Sequence, residues 1–227
     1  DLLYQLSEIK NLKRIRYTTS HPKDFTLDLV EAHGKCKKLM PLLHLPVQSG
    51  STKILKSMNR NHSIKQYLEI IERLKEKNSS IKFSSDFIIA YPGETKDDFE
   101  KTISLVKEVE FINSYSFIFS PRPGTVAANL QLTDKNISIE RLEIIQNKLF
   151  ENQISVNRSL ENKILNVLVE NLTEDGTKVF GRSEHMTSVI FNGKKENIGK
   201  IMRVKIHKSN RTTLFGEVSK NSNKMVA

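Results

Sequence analysis

Residues 84–100 read SSDFIIAYPGETKDDFE, and their pattern indicates the fold class of the first part of the chain. It completes an apolar run over 81–90 that is almost continuous after Asp86, as in strands that are buried on both faces. A turn containing Pro and Gly follows, and then Thr95 and Asp98 indicate the start of a helix. A buried strand that passes through a short turn into a helix is the repeating unit of parallel α/β folds.

The same alternation of strand and helix extends along the first two-thirds of the chain. Ser63 and Gln66 form a predicted capping box before an amphipathic helix. An earlier helix is predicted to begin at Phe25 and to stop at Gly34. Further strands are predicted at Ile15–Thr19, Leu39–Val47 and Ser114–Phe119. Four strands with intervening helices predict an α/β barrel or an open parallel sheet.

The pattern changes in the last third of the chain, where a long polar helix is followed by short strands and turn signals. The strands are predicted at Ile164–Glu170, Lys178–Ser183, Ser188–Phe191, Met202–Lys208 and Thr213–Val218. Short strands at this spacing predict a small closed β-barrel of the oligonucleotide-binding kind. The expected organisation is an α/β domain over 1–138, a linker helix over 139–160, an all-β barrel over 161–220 and a tail over 221–227.

The charge distribution indicates a nucleic-acid partner for the C-terminal region. The chain carries 36 Lys and Arg against 26 Asp and Glu, a formal net charge of +10. Residues 158–227 hold 13 of the basic and 7 of the acidic residues, so more than half of the excess lies in under a third of the chain. Basic surfaces of this kind attract the phosphate backbone of nucleic acids.

Cys36 is the only cysteine, which excludes an internal disulfide and any all-cysteine metal site made by this chain alone. A lone thiol fits a reducing cytoplasm, and we expect Cys36 to be semi-exposed and without a chemical task. No apolar stretch approaches the roughly 20 residues that a membrane span needs. The chain opens at Asp1 in an amphipathic pattern without an initiator Met, and we expect this start to be a cut.

Small and polar residues follow each of the four predicted strands of the α/β region. These loops are residues 20–22, 46–51, 91–95 and 120–125. Because ligands of parallel α/β folds bind at the C-terminal ends of the strands, we expect a binding site that these loops share.

Four strings resemble the methylthiotransferase family of radical S-adenosylmethionine (SAM) enzymes. They are TTSHP at 18–22, HLPVQSGS at 44–51, SSDFIIAYPGETKDDFE at 84–100 and SYSFIFSPRPGT at 114–125. They are most similar to the branch that 2-methylthiolates N6-isopentenyladenosine at position 37 of tRNA. The resemblance runs over about residues 1–218. It implies a partial radical SAM (βα)6 barrel, strands three to six, followed by a small all-β TRAM domain that binds RNA.

The resemblance also implies a set of SAM-binding residues. The 48–50 loop would meet the ribose and methionine part, with Gly50 permitting close backbone approach, and residues 88–93 would flank the adenine. Ala90 stands where the family usually has Gly. Arg60 suits the methionyl carboxylate, and Arg122 suits either that carboxylate or RNA phosphate. Asp86, inside an apolar strand, suits a structural hydrogen bond or a ligand contact. The expected set is Gln48, Ser49, Gly50, Arg60, Asp86, Ile88, Ala90, Gly93 and Arg122.

The iron–sulfur clusters of this family have no ligands in the chain. Members bind two 4Fe–4S clusters, through three N-terminal cysteines and a CxxxCxxC loop, and neither motif occurs here. Radical chemistry belongs to these cofactors, so we expect the chain alone to be inactive and to hold no metal. The resemblance implies that the full-length enzyme is a cytoplasmic monomer, whose partners are a tRNA anticodon stem-loop and a reducing system.

Other readings of the resemblance compete with the isopentenyladenosine branch. One sister branch modifies threonylcarbamoyladenosine 37 of tRNA, and another modifies an aspartate of a ribosomal protein. TTSHP and SYSFIFSPRPGT favour the isopentenyl branch, and the ribosomal-protein branch typically has an acidic pair where Arg122 and Pro123 stand. A non-catalytic RNA-binding module is the rival from a different functional class.

Basic residues of the predicted β-barrel form the expected RNA-binding surface. They are Lys178, Arg182, Lys194, Lys195, Arg203, Lys205, Lys208 and Arg211. Phe180, Phe191 and Phe215 alternate with them along the sequence. These phenylalanines suit base stacking beside phosphate contacts or, alternatively, the barrel core.

Three histidines and one glutamate could be read as ligands or catalytic residues, or as structural and surface residues. We expect His44 to be a satisfied core imidazole and His62 to lie at the surface, while His21, at a strand end, suits a structural and a ligand role equally. Glu94 is expected to support the turn and the helix start after it, where a carboxylate is favoured, rather than to catalyse.

Overall fold

The computed structural model describes residues 1–18 and 21–219, which divide into two compact units. The first unit is Asp1–Asn152 and the second begins at Gln153. The predicted tail over 221–227 and Thr19, the last residue of the first predicted strand, lie outside the described residues.

The first unit alternates helices with short strands. Its helices are α1 (Leu2–Ser7), α2 (Leu27–Lys35), α3 (Thr52–Ser57), α4 (Ile64–Lys77), α5 (Lys96–Val109) and the larger part of α6 (Lys135–Ser159). Its strands are β1 (Leu42–His44), β2 (Lys82–Ser84), β3 (Asp86–Ile89) and β4 (Tyr115–Ile118). Turns of 3-10 helix lie at Pro22–Asp24 and Val126–Asn129.

All strand pairs of the first unit are parallel. β1 pairs with β2, and β3 pairs with β4. Isolated parallel bridges join Ile15 to Leu39, Thr18 to His44 and Gln48 to Phe87. The four predicted strand segments therefore lie side by side in chain order, and the mixed α/β character predicted for this region is confirmed.

The run predicted as one strand over 81–90 is interrupted at Ser85. The Ser85 hydroxyl accepts a hydrogen bond from Val47 N (2.9 Å) and donates one to Leu45 O (3.1 Å). The Ser85 N–H in turn donates to Ser114 Oγ at 2.9 Å. Because side-chain hydroxyls replace backbone partners at this point, the run forms two strands, β2 and β3, instead of one.

Local signals set the starts of two helices as predicted. Ser63 with Gln66 and Thr95 with Asp98 each form a complete capping box, at the N-termini of α4 and α5. In both boxes the hydroxyl of the first residue accepts a hydrogen bond from the backbone N–H of the fourth residue. The side-chain oxygen of the fourth residue in turn accepts one from the backbone N–H of the first.

Two other helix boundaries differ from the prediction. α2 passes through Gly34 and ends at Lys35, since Cys36 is the first residue with extended backbone (φ −84°, ψ 94°). α6 begins earlier than the predicted 139, because the Asp134 carboxylate accepts a hydrogen bond from the backbone of Asn136 at 2.8 Å and so starts the helix there.

The core of the first unit lies between one face of the strands and the helices α4 and α5. It is built from alternate strand residues and one stripe of each helix, among them Leu43, Leu45, Phe83, Phe87, Ile89, Tyr67, Ile71, Leu74, Phe99, Val106 and Val109. The alternate positions of the strands point to the opposite face, where the candidate site lies.

The second unit is a closed five-stranded barrel, as predicted for this region. Its strands are β5 (Ile164–Leu172), β6 (Val179–Arg182), β7 (Ser188–Phe191), β8 (Ile201–Ser209) and β9 (Thr213–Val218). They follow the order β5-β6-β7-β9-β8; β7 and β9 are parallel and the other pairs antiparallel. The interior is aliphatic with one phenylalanine: Val167, Val169, Val179, Val189, Phe191, Val204, Ile206 and Leu214.

Candidate functional site

The face of the strands that α4 and α5 leave uncovered carries a mixture of polar and aromatic side chains. Asp86 and Ile88 of β3 are half-buried on this face, while Phe87 and Ile89, which alternate with them, are fully buried in the helix-facing core. The parallel register pairs Asp86 with Tyr115 and Ile88 with Phe117, so all four side chains share the face. Tyr115 is 63% exposed and Phe117 56%, which is unusual for aromatic side chains in a sheet.

Gln48 is hydrogen-bonded to the backbone of β3. Its N–H donates to Asp86 O at 3.0 Å, and its carbonyl accepts from Ile88 N at 2.9 Å. Gln48 has a φ of 74°, in the left-handed region that non-glycine residues rarely adopt. Three of the predicted SAM-binding residues, Gln48, Asp86 and Ile88, are therefore neighbours.

Ser49 and Gly50 are directed elsewhere, toward helix α5. Ser49 is fully buried, and its hydroxyl accepts a hydrogen bond from Ser51 N at 3.1 Å. Gly50 N donates to Thr102 Oγ1 at 2.9 Å, and a Cβ at Gly50 would lie 2.5 Å from the carbonyl oxygen of Lys101. The lack of a side chain at Gly50 therefore permits close packing against α5, and its predicted contact with a ligand stays a prediction.

Charged and polar groups cluster beside Asp86. His44 Nε2 lies 3.4 Å from Asp86 Oδ2, and His44 Nδ1 lies 3.0 Å from Ser84 Oγ. His44 is therefore hydrogen-bonded as predicted, but it is half-buried on the open face and not in the core. Arg60 is also half-buried; burial lowers the pKa of its guanidinium, while the Asp86 carboxylate acts in the opposite direction.

His62 is buried at 6% exposure, so the prediction of a surface position is wrong. Its ring packs edge-on against that of His21, with 5.1 Å between centroids. Within the described residues neither ring nitrogen of His62 has a hydrogen-bond partner. Burial, with smaller contributions from His21 and Arg60, lowers the pKa of His62 to about 4, so the ring is neutral at neutral pH.

His21 lies at the end of the first strand segment and caps the short 3-10 helix after it. Its Nδ1 accepts a hydrogen bond from Lys23 N at 3.1 Å, which leaves Nε2 as the nitrogen that carries a proton in the neutral ring. Burial and the positive charge of Arg60 lower the pKa of His21. His21, Arg60 and His62 therefore form one cluster of mutually interacting groups.

The turn after β3 holds Ala90 and Gly93, two more of the predicted SAM-binding residues. Both have positive φ, 58° and 82°. The Ala90 N–H donates to Glu94 Oε2 at 2.9 Å, so Glu94 supports this turn, in agreement with the structural interpretation of that residue. The helix start that follows is capped by Thr95 and Asp98 and does not depend on Glu94.

Arg122 is exposed in the loop after β4. Its carbonyl oxygen closes a turn by accepting hydrogen bonds from Thr125 N (3.2 Å) and Thr125 Oγ1 (2.8 Å). Within the described residues, its guanidinium makes no hydrogen bond or ion pair.

The outer surface of the β-barrel carries an aromatic row beside lysines. Register places Phe180 next to Ile190, Ile190 next to Phe215, and Phe215 next to Lys208. Phe180 and Phe215 are half-buried and face outward, whereas Phe191 is a core residue at 1% exposure. A cleft of about 330 Å³ runs along this row, lined by Lys178, Ile190, Phe191, Asn192, His207, Lys208, Phe215 and Gly216.

The predicted RNA-binding residues differ in exposure. Six are exposed: Lys178, Lys194, Lys195, Lys205, Lys208 and Arg211. Arg203 and Arg182 are half-buried, and Arg182 already has several partners. Its guanidinium contacts Glu170 Oε2 (3.7 Å) and Met186 O (3.1 Å), and it lies 5.1 Å from the centroid of the Phe180 ring. Arg182 thus supports the aromatic row by a cation–π contact.

Sequence reasoning missed three residues near the candidate site. The exposed faces of Tyr115 and Phe117 follow from the alternation of the predicted strand, which could have indicated them. Arg141 of α6 has no such signal; it binds Glu94, 47 positions away in the sequence.

Cys36 is buried at 6% exposure in a cluster with Ile15, Ala32 and Leu39, so the semi-exposed position predicted for it is wrong. A buried thiol among apolar side chains does not fit a ligand of an iron–sulfur cluster, and one cysteine cannot supply the set of thiolates that a 4Fe–4S cluster needs. Within the described residues, no group of three or more His, Cys, Asp or Glu is placed to hold a metal ion. The same residues contain no helix long and apolar enough to cross a membrane.

Each unit contains a region that is similar to a known protein family. Residues 1–106 match the Radical SAM superfamily and residues 158–219 match the TRAM domain. A solved structure entitled coproporphyrinogen III oxidase (HemN) from Escherichia coli, a radical SAM enzyme, aligns with 83% of this chain and 45% of its own, with a TM-score of 0.49 and 15% identity.

Relatives of much higher identity match all or nearly all of the chain. The tRNA-2-methylthio-N(6)-dimethylallyladenosine synthase of Pelagibacter ubique is 62% identical over 100% of this chain and 51% of its own length. The protein of the same name from Rickettsia felis is 48% identical over 96% of this chain and 49% of its own. The chain spans about half the length of these relatives. Residues 1–106 therefore resemble the Radical SAM superfamily, residues 158–219 resemble the TRAM domain, and the chain is similar over almost its whole length to about half of these synthases.

Proposed function

We propose that this chain is part of a tRNA methylthiotransferase that converts N6-isopentenyladenosine 37 of tRNA to its 2-methylthio derivative. The observation that carries the proposal is the 62% identity to the Pelagibacter ubique synthase, which extends through the α/β unit and the barrel without a break in coverage. SAM would serve as methyl donor and radical source, with two 4Fe–4S clusters in the full-length enzyme. The chain alone would be inactive, since its one cysteine is buried.

In this proposal the aromatic row on the outer surface of the barrel, Phe180, Ile190 and Phe215, binds the RNA. Phe180 and Phe215 offer partly exposed rings, and bases of unpaired RNA stack on such rings whatever their sequence. Lys178 and Lys208 flank the cleft beside Phe215 and suit phosphate contacts. The anticodon loop, which combines unpaired bases with closely spaced phosphates, matches this arrangement.

RNA binding can be tested in the intact protein with an anticodon stem-loop at several salt concentrations. For Phe215→Ala we expect a loss of about 1–3 kcal/mol in binding free energy with an unchanged salt dependence, because a stacking contact is uncharged. For Lys208→Ala we expect the slope of log K against log salt to fall by about 0.7–0.9, the value for one phosphate contact.

A matched control is Lys65→Ala, which removes the same charge from an exposed position of α4 in the other unit. It should leave both the affinity and the salt slope unchanged. Equal effects of Lys65→Ala and Lys208→Ala would mean that net charge, and not the barrel surface, determines RNA binding.

The proposal assigns SAM to the open face of the α/β unit. Gln48, Asp86 and Ile88 support it because they are neighbours, and Arg60 brings a guanidinium near the Asp86 carboxylate. A carboxylate beside a guanidinium suits the ammonium and carboxylate groups of a methionyl moiety. Asp86→Asn should weaken SAM binding to the intact protein, whereas Asp97→Asn, at an exposed residue of α5, should not.

The sister branches and the non-catalytic alternative predict different results. The intact protein should 2-methylthiolate a stem-loop carrying isopentenyladenosine and not one carrying threonylcarbamoyladenosine, as measured by mass spectrometry of the nucleosides. A CxxxCxxC motif in the reading frame upstream of the codon for Asp1 is expected for the enzyme and not for an RNA-binding module. The proposal further includes a cytoplasmic location, a monomeric state and an external reducing system.

A further inference from the structure

The turn that follows β3 is held in an unusual conformation by hydrogen bonds from its backbone to side chains. Ala90 adopts a φ of 58°, and its N–H and C=O both bond to side chains. The N–H donates to Glu94 Oε2 at 2.9 Å, and the C=O accepts from Thr133 Oγ1 at 3.3 Å. A non-glycine residue persists in this conformation only where its surroundings fix it.

Glu94, the residue that fixes the turn, is itself fixed by Arg141 of α6. One nitrogen of Arg141, Nη1, donates to both Glu94 Oε2 (2.7 Å) and Glu94 O (3.0 Å). The side chains of Glu94 and Arg141 are 0% and 12% exposed, and the guanidinium lies 5.5 Å from the centroid of the Phe99 ring. Arg141 therefore orients the carboxylate and the backbone of Glu94 at once.

A contribution to the stability of the folded protein does not by itself explain why the Glu94–Arg141 ion pair is buried. Buried ion pairs often contribute no more than well-packed apolar side chains of the same size, because the charges lose their hydration. Glu94 Oε1 is buried and has no hydrogen-bond partner within the described residues, and burial raises the pKa of Glu94 despite its bonds to Ala90 and Arg141. What the pair does define is the path of the backbone from Ala90 to Glu94.

We propose that Arg141 is a positioning residue for SAM, which acts through Glu94 to hold the 90–94 turn in the shape that receives the adenine of SAM. The inference rests on the proposed function, in which Ala90 and Gly93 flank that adenine. It adds a residue of α6 to the determinants of SAM affinity, although Arg141 itself does not touch the ligand.

The test compares Arg141→Met with Arg141→Lys in the intact protein with its clusters assembled. SAM affinity is measured by equilibrium dialysis, and protection of the Ala90 amide by hydrogen exchange in the absence of SAM. Arg141→Met should weaken SAM binding about tenfold and speed exchange at Ala90, since displaced binding groups lose much of their contribution. Arg141→Lys keeps a hydrogen-bond donor for Glu94, so it should retain part of the SAM affinity and part of the protection of the Ala90 amide.

Asn152→Ala is the matched control. Asn152 is buried on the same helix and donates to Val106 O at 2.9 Å, so its loss also weakens the packing of α6 on α5, but away from the turn. This variant should keep SAM affinity and Ala90 protection. RNA affinity should be unchanged in all three variants.

Normal SAM affinity in a folded Arg141→Met protein would overturn the inference and leave the proposed function standing. Equal losses of SAM affinity in Arg141→Met and Asn152→Ala would also overturn it, because they would mean a general loss of stability. A wild-type protein with assembled clusters that binds no SAM would overturn the proposed function together with the inference.

Discussion

Replacing Gly50 by Ala should destabilise the first unit, whether or not SAM is bound. The added Cβ would lie 2.5 Å from Lys101 O and from the Cα of Thr102, whereas ordinary Cβ contacts begin at about 3.4 Å. Both neighbours are backbone atoms of α5, which cannot move aside as the end of a flexible side chain can. The loop and the helix must therefore separate by about one ångström.

The cost can be worked out from two contributions. Overpacking of a tight interior contact costs about 1–3 kcal/mol. Separation of the loop from α5 also weakens the hydrogen bond from Gly50 N to Thr102 Oγ1, worth about 1 kcal/mol. We expect Gly50→Ala to lower the free energy of unfolding by about 2–4 kcal/mol, as measured by urea unfolding followed by far-UV circular dichroism.

Gly34→Ala is the control, because the same substitution is expected there to change the free energy of unfolding in the opposite direction. Gly34 lies within α2, and its Cβ would meet Lys77 Cβ at 3.4 Å, an ordinary contact. Because Ala is favoured over Gly inside a helix, this substitution should raise the free energy of unfolding by about 0.5–1 kcal/mol.

A Gly50→Ala protein as stable as the wild type would contradict this prediction, and so would a Gly34→Ala protein destabilised as much as Gly50→Ala. A stable Gly50→Ala protein that had lost SAM affinity would favour the explanation that the sequence suggested, the close approach of a ligand. Stability measured without SAM separates these two explanations.

Three further predictions concern buried polar groups. His62 has a pKa of about 4 in the folded protein and about 6.5 in the unfolded chain. The unfolded chain therefore binds more protons in this range, and the free energy of unfolding should fall as the pH decreases from about 6.5 to about 4. His62→Leu should reduce this pH dependence. Tyr67→Phe removes the hydrogen bond from Tyr67 Oη to Leu45 O (2.9 Å); urea unfolding should show a loss of only about 0.5–1.5 kcal/mol, because that carbonyl oxygen keeps the Ser85 hydroxyl. Burial would raise the pKa of Asp98, but hydrogen bonds led by that of Ser51 outweigh it and hold the pKa below its ordinary value. The stability that the ionised carboxylate contributes should be lost as the pH falls below about 4, and thermal unfolding of Asp98→Asn should show a weaker acid dependence.

The parts of the fold that depend on neighbours in the sequence could be predicted. The capping boxes at Ser63 and Thr95 involve residues three positions apart, and the pattern therefore contains both partners. The barrel strands at Ser188–Phe191 and Thr213–Val218 have the predicted bounds, because alternating side chains and turn residues mark both of their ends.

The remaining features depend on partners that are distant in the sequence. Ser85 interrupts a strand because its hydroxyl meets residues about 40 positions earlier, and Gly50 is small because it packs on a helix about 50 positions later. His62 reads as a loop residue, yet His21 and Tyr67 enclose it. The periodic pattern of apolar residues carries no information about contacts between residues that are distant in the sequence. Such contacts position most residues of the candidate site.

The buried position of Cys36 gives the chain an internal reporter of conformational opening. An alkylating reagent can reach the thiol only when the cluster of Ile15, Ala32 and Leu39 separates, so the rate of modification measures how often this part of the first unit opens. Since the chain has no second cysteine, the signal comes from one known position. The reaction therefore follows local opening next to the first strand segment without an introduced label.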